Sequence, residues 1–236
     1  MKYILFDLDG TLLPMDQELF TKAYFKYLTT TLATHGYDKA HLVDAIWQGT
    51  AKMIKNDGTR TNEQVFWESF ASIYGKKAYD DEPLFYHFYQ TEFNKAQSVC
   101  GFNPKVKDVI TKLKQAGFKL ILASNPIFPK IAQIARVKWA GLKEDDFELY
   151  TSYENMSYCK PNPKYYEAIL QKTGCKASDC LMVGNDALED MIAKTTGMDV
   201  FLVTDCLINQ KNLDITSYPK GNFDDLLNYI KTKHLS

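Results

Sequence analysis

Four short apolar runs punctuate the chain, and each stops abruptly at polar residues. Tyr3-Ile4-Leu5-Phe6 runs into Asp7-Leu8-Asp9-Gly10-Thr11. Lys119-Leu120-Ile121-Leu122-Ala123 gives way to Ser124-Asn125-Pro126, Leu181-Met182-Val183 to Gly184-Asn185-Asp186, and Val200-Phe201-Leu202-Val203 to Thr204-Asp205. Residues 147–151 make a fainter fifth run. Uninterrupted rather than alternating apolarity marks strands covered on both faces, as in a parallel sheet. Between the runs the period becomes helical. Val106, Val109, Ile110 and Leu113 fall at i, i+3, i+4 and i+7, with Gly117 placed to end the segment. Ile131, Ile134 and Ala135 continue that spacing, as do Tyr165 and Ile169 behind Pro161 and Pro163, and Leu226, Leu227 and Ile230 further on. Strands alternating with helices predict an α/β fold around a parallel sheet.

Residues 15–100 break that rhythm. Their mixed segments 18–34, 39–55, 62–74 and 83–97 are each long enough for a helix. Turn material separates them: His35-Gly36-Tyr37-Asp38, Asn56-Asp57-Gly58 and Gly75. The pattern predicts a helical subdomain at 15–100, inserted just after the first strand, with 1–14 and 101–236 forming the α/β domain.

Composition excludes several classes. Hydrophobic residues make up 45% and charged residues 24%, which are globular proportions, and 14% aromatics argue against disorder. A net charge of −1, from 28 basic and 29 acidic side chains, offers no field for nucleic acid or an anionic membrane. Only Arg60 and Arg136 are arginines, and Arg60, in a polar loop, reads as a surface residue. Cys100, Cys159, Cys175, Cys180 and Cys206 are odd in number and form no C-x-x-C, so free thiols are expected rather than a zinc site or disulfides. Asp7 and Asp9 cut the first run short of the ~7–15 residues of a secretory leader. No stretch reaches the ~18 apolar residues of a membrane span. A cytoplasmic protein is expected.

In an open α/β sheet, ligands bind beyond the carboxyl ends of the strands, where strand order reverses. Asp7/Asp9, Ser124/Asn125, Lys160 and Asp186/Asp190 fall at or just after candidate strand ends. Taken singly, Asp, Ser and Asn are ordinary helix caps and turn formers. Their joint order along an alternating chain is what points to a site. Asp190 lies four residues after Asp186, a spacing that can put both on one helix face.

These residues resemble the motifs of the haloacid dehalogenase-like hydrolases. Asp7-Leu8-Asp9-Gly10-Thr11 is similar to the first motif, Ser124 to the second, Lys160-Pro161 to the third, and Gly184-Asn185-Asp186 with Asp190 to the acidic fourth, in family order. The resemblance implies a Rossmann-like three-layer core with a central parallel sheet, and a helical type 1 cap in the inserted segment. It implies a phosphatase in which Asp7 takes the phosphoryl group and Asp9 is the general acid and base. Magnesium would be held by the Asp7 carboxylate, the Asp9 backbone carbonyl and the Asp186 carboxylate. Gly10, Thr11, Ser124, Asn125 and Lys160 would surround the phosphate, with Asn185 and Asp190 in support. Asn185 stands where many relatives have another acid, which leaves the finer metal shell open.

Elementary chemistry runs the same way. Phosphate monoester hydrolysis is among the slowest uncatalysed reactions, and a carboxylate nucleophile divides it into two easier steps. The negative charge of Asp7 facing a phosphate dianion calls for a cation. Asp9 needs a pKa above the ~3.9 of free aspartate, which burial and nearby negative charge would supply. Within the family it resembles, the acid at position 9 implies phosphoryl transfer rather than dehalogenation or phosphonate cleavage.

The expected reaction is magnesium-dependent hydrolysis of a small phosphorylated metabolite. A sugar phosphomutase would carry the same motifs. A phospho-accepting signalling module also groups acids, a hydroxyl and a lysine around a phospho-aspartate, but it is much shorter and needs neither Asp9 nor a cap. The aromatic residues of the inserted segment, among them Trp47, Phe66, Trp67, Tyr86 and Tyr89, read as core.

Overall fold

In the computed structural model, which describes residues 2–234, the apolar runs become strands β1 (Tyr3–Phe6), β2 (Lys119–Leu122), β3 (Leu149–Tyr150), β4 (Cys180–Gly184) and β5 (Asp199–Val203). A further short strand, β6 (Lys220–Gly221), joins them. The sheet runs β3-β2-β1-β4-β5-β6, and every pairing is parallel. The chain lays down β1, works outward to β3, then returns to the far side of β1 for β4, so strand order reverses between β1 and β4. Phe6 is level with Leu122 on one side and Val183 on the other. Asp7, Ala123 and Gly184 therefore leave the sheet at one height.

Both faces of the sheet are covered. Ile4, Phe6, Leu181, Val183, Phe201 and Val203 point into one apolar cluster. Leu5, Met182, Val200 and Leu202 alternate with them into a second. Each such side chain contributes about 1.5–3 kcal/mol by leaving water. On the first face pack α6 (Pro104–Gln115), α7 (Lys130–Trp139) and α9 (Phe223–His234), and on the second α8 (Pro163–Thr173) and a 3-10 segment, Met191–Thr196. The outcome is a three-layer α/β architecture.

Between β1 and β2 stand α1 (Gln17–Ala33), α2 (Lys39–Ile54), α3 (Asn62–Tyr74), α4 (Lys77–Asp80) and α5 (Glu82–Gln90). Their starts follow from side chains that satisfy the first free N–H groups. Asp16 and Asp38 cap α1 and α2, and Thr61 with Gln64 forms a capping box on α3. Asn103-Pro104 and Asn162-Pro163 start α6 and α8 in the same way.

Three expectations need correction. The segment expected at 83–97 breaks at Thr91 (φ −119°, ψ −89°), and Glu92–Val99 continues as 3-10 turns. The fifth apolar run yields only the two paired residues of β3. On α7 the buried face is Ala132, Gln133, Arg136, Val137 and Trp139, whereas Ile131, Ile134 and Ala135 are half-buried. There, burial of an arginine and a glutamine outweighs simple apolar patterning.

Candidate active site

The tips of β1, β2 and β4 meet the inserted helices around one cavity. Asp7, Asp9, Ser124, Asn125, Asn185, Asp186 and Asp190 all line it. Lys160 is buried beside Asp7. Its Nζ donates to Asp7 Oδ1 at 2.9 Å and to Asp190 Oδ1 at 2.6 Å. Burial opposes charge on this ammonium, but Asp190 and then Asp7 outweigh it and hold its pKa well above the ordinary lysine value. Burial also pushes the Asp190 carboxyl up, with the Lys160 charge working against it. The second Asp190 oxygen accepts the Asp186 N–H at 2.9 Å, tying Lys160 to the loop after β4. Gly184 makes room for that contact, since a Cβ there would lie 2.1 Å from Asp190 Oδ2.

The loop after β1 is braced from several sides. The Thr11 hydroxyl reaches Asp7 Oδ2 at 3.2 Å and Asn185 Oδ1 at 2.9 Å. The Asn185 amide also donates to the Cys206 carbonyl at 2.6 Å. Gly10 has φ +87°, and a Cβ there would stand 2.4 Å from Asn185 Nδ2, so both conformation and space favour glycine. Its N–H goes to the Leu13 carbonyl and that of Thr11 to Leu8. The backbone N–H groups of Leu8, Asp9 and Asn125 have no partner among the described residues. Asp9, Ser124 and Asn125 line the cavity, so the Asp9 and Asn125 N–H groups and the Ser124 hydroxyl are donors available to phosphoryl oxygens. Ser124 is held by the Thr151 and Tyr165 hydroxyls, which donate to its carbonyl at 2.6 and 3.0 Å. The Asn125 side chain is engaged at both ends, donating to Glu189 Oε2 at 3.1 Å and accepting the Lys160 N–H at 3.3 Å.

Two functional candidates were missing from the sequence reading. Arg136, fully buried on α7, forms an ion pair with Asp9 Oδ2. It also donates to Gln133 Oε1 at 2.8 Å and lies 4.5 Å from the Phe128 ring centre. Its signal in the sequence is faint: Gln133 and Arg136 are polar residues on the same helical face as Ala132 and Val137. Glu189 lies three residues beyond Asp186 and next to Asp190, inside the segment that resembles the fourth motif. Burial is the main force raising its pKa to about 7.

Asp9 Oδ1 is buried and has no hydrogen-bond partner among the described residues. Burial raises the Asp9 pKa, Arg136 opposes that most strongly, and Asp7 adds to it. The site thus presents a carboxyl with one oxygen anchored and one available for a proton.

The donor chemistry fits a divalent cation. Among the described residues, the cations beside Asp7, Asp9, Asp186, Glu189 and Asp190 are Lys160 and Arg136, which pair with Asp7, Asp190 and Asp9. Asp186 Oδ1 accepts the Leu188 and Glu189 N–H groups at 2.7 and 2.8 Å, which orients the carboxylate. Among the described residues, no three His, Cys, Asp or Glu side chains form a ready-made metal cage. Two carboxylates and the Asp9 carbonyl are the sparse, all-oxygen set that suits magnesium, which keeps waters and takes a substrate oxygen.

Comparison with known proteins places this geometry in context. A family profile described as haloacid dehalogenase-like hydrolase matches residues 1–193. A glyceraldehyde 3-phosphate phosphatase of Methanothermobacter thermautotrophicus is 31% identical over 121 residues, spanning 48% of this chain and only 52% of that protein. A phosphoglycolate phosphatase of Vibrio vulnificus is 26% identical, over 86% of this chain and 84% of its own length. The crystal structure of a HAD phosphatase from Thermococcus onnurineus superposes with a TM-score of 0.58, at 19% identity and 98% coverage of both chains. Among the described residues, no helix is long and apolar enough to cross a membrane.

Proposed function

The chain belongs to the haloacid dehalogenase-like hydrolases and is a hydrolase of phosphate esters; we propose that it hydrolyses a small phosphorylated metabolite through an aspartyl phosphate on Asp7. What carries this reading is the buried Asp7–Lys160–Asp190 chain at a cavity that also receives Ser124 and Asp186.

In the first step an Asp7 oxygen attacks phosphorus, the bond to the ester oxygen breaks, and Asp9 gives that oxygen its proton. In the second, Asp9 takes a proton from water, the water oxygen attacks phosphorus, and the bond to Asp7 breaks. Lys160 holds Asp7 in place and supplies positive charge beside the phosphoryl group. The free N–H groups of Asp9 and Asn125 and the Ser124 hydroxyl bind phosphoryl oxygens. Asp7, Asp186 and the Asp9 carbonyl would hold magnesium, which when bound supplies positive charge against the phosphoryl oxygens. The inserted helices act as a cap over the site.

A panel of phosphorylated metabolites, assayed for released phosphate, tests the reading. Release should require magnesium, stop on chelation, and vanish in Asp7→Asn. Activity that survives both treatments would defeat it.

A further inference from the structure

The cavity over Asp7 holds about 440 Å³, within the ~300–1,000 Å³ usual for small-molecule sites. Beyond its acidic floor the walls are aromatic. Phe20, Tyr24, Phe66, Trp67, Tyr89 and Phe128 all line it, so several rings read as core from the sequence also face the site. No Lys, Arg or His among the described residues lines it. The neighbouring cations are engaged, Lys160 between Asp7 and Asp190 and Arg136 on Asp9. Arg60 pairs with Glu68 and does not line the cavity.

The walls instead add three carboxylates away from the strand tips: Glu63, Glu82 and Glu154. Both Glu154 oxygens accept the Lys130 N–H, at 2.9 and 3.0 Å, at the start of α7. Glu63 and Glu82 have no side-chain hydrogen bond or ion pair among the described residues. Burial, then Glu154 and Glu82, push the Glu63 carboxyl above its ordinary range.

This lining discriminates by charge. The phosphoryl group is met at the floor, but a second phosphate or a carboxylate would face the half-buried Glu63 and Glu154 and the exposed Glu82 with no cation to receive it. An aromatic body packs against the rings. An ammonium is favoured twice, by the ring faces and by the unpaired carboxylates. Resting on the phosphatase reading of the same site, we propose that the substrate is a phosphate monoester of an aromatic alcohol. It bears no second anionic group and turns a cationic amine toward Glu63 and Glu82.

Three esters with a common phenol test this: phenyl phosphate, 4-(aminomethyl)phenyl phosphate and 4-(carboxymethyl)phenyl phosphate, each assayed with magnesium. Values of kcat/KM should fall in the order amine, unsubstituted, carboxylate, with about tenfold between the extremes. Dissociation constants for Asp7→Asn should rise in that order, the amine binding tightest. Glu63→Gln should shrink the amine-over-carboxylate ratio by about threefold. A carboxymethyl ester turned over and bound as well as the aminomethyl one overturns the substrate class while leaving the phosphatase reading intact. No phosphate release from any ester, together with no binding to Asp7→Asn, overturns the phosphatase reading and this inference with it.

Discussion

Asp9 is held between opposing influences. Burial and Asp7 raise its pKa while Arg136 lowers it, and one carboxylate oxygen is anchored as the other stays unpartnered. A general acid must hold its proton at working pH yet release it during the reaction, and such a balance serves both needs. Replacing Arg136 by Met should therefore have two effects. Leaving the Asp9 charge buried and unpaired should cost about 3–5 kcal/mol in denaturant unfolding. Because Arg136 lowers the Asp9 pKa, its loss should also raise that pKa and move the basic limb of the kcat profile to higher pH. An unshifted limb would mean that Asp9 is not the titrating acid. Asp7, Asp9, Lys160 and Asp190 were legible from sequence because each sits in a short motif just past a strand or loop boundary. Arg136 was not, because it is 127 residues from Asp9 and only the fold joins them.

At the scale of elements, strands and long helices follow from local chemistry. Apolar runs mark β1, β2, β4 and β5, while Asp16, Asp38, Thr61, Asn103 and Asn162 mark helix starts. The two-residue strands β3 and β6 exist through pairing to β2 and β5 and have little signal of their own. The same limit applies to the aromatic residues of α3 and α5. Helical spacing shows that they share a face, yet only tertiary packing makes that face a cavity wall. Gly49 on α2 shows how close this packing is, since a Cβ there would lie 2.6 Å from the Phe66 ring. Gly49→Ala should overpack the α2–α3 contact and cost about 1–3 kcal/mol in an unfolding titration. A variant as stable as the parent would show that Phe66 has room to yield.

Across the whole molecule a nearly neutral chain concentrates unbalanced negative charge in one place. Its net charge is −1, yet among the described residues the strand-tip end of the cavity gathers Asp7, Asp9, Asp186, Glu189 and Asp190 around Lys160 and Arg136. A divalent ion that relieves this imbalance in the folded state must stabilise the fold by linkage. At about 100 times its dissociation constant, magnesium should add about 2.7 kcal/mol to unfolding, and Asp186→Asn should largely remove that gain. Equal stability with and without magnesium would argue against a metal bound here. The chemistry itself is tested most directly by trapping the phosphoryl group. In Asp9→Asn given an aryl phosphate, the good leaving group needs little acid help, while attack by water lacks its base. Rapid acid quenching followed by peptide mass spectrometry should find one phosphoryl group accumulating on the peptide that contains Asp7. Phosphate released with that peptide unmodified, or the phosphoryl group on another residue, would contradict the assignment of Asp7 as nucleophile.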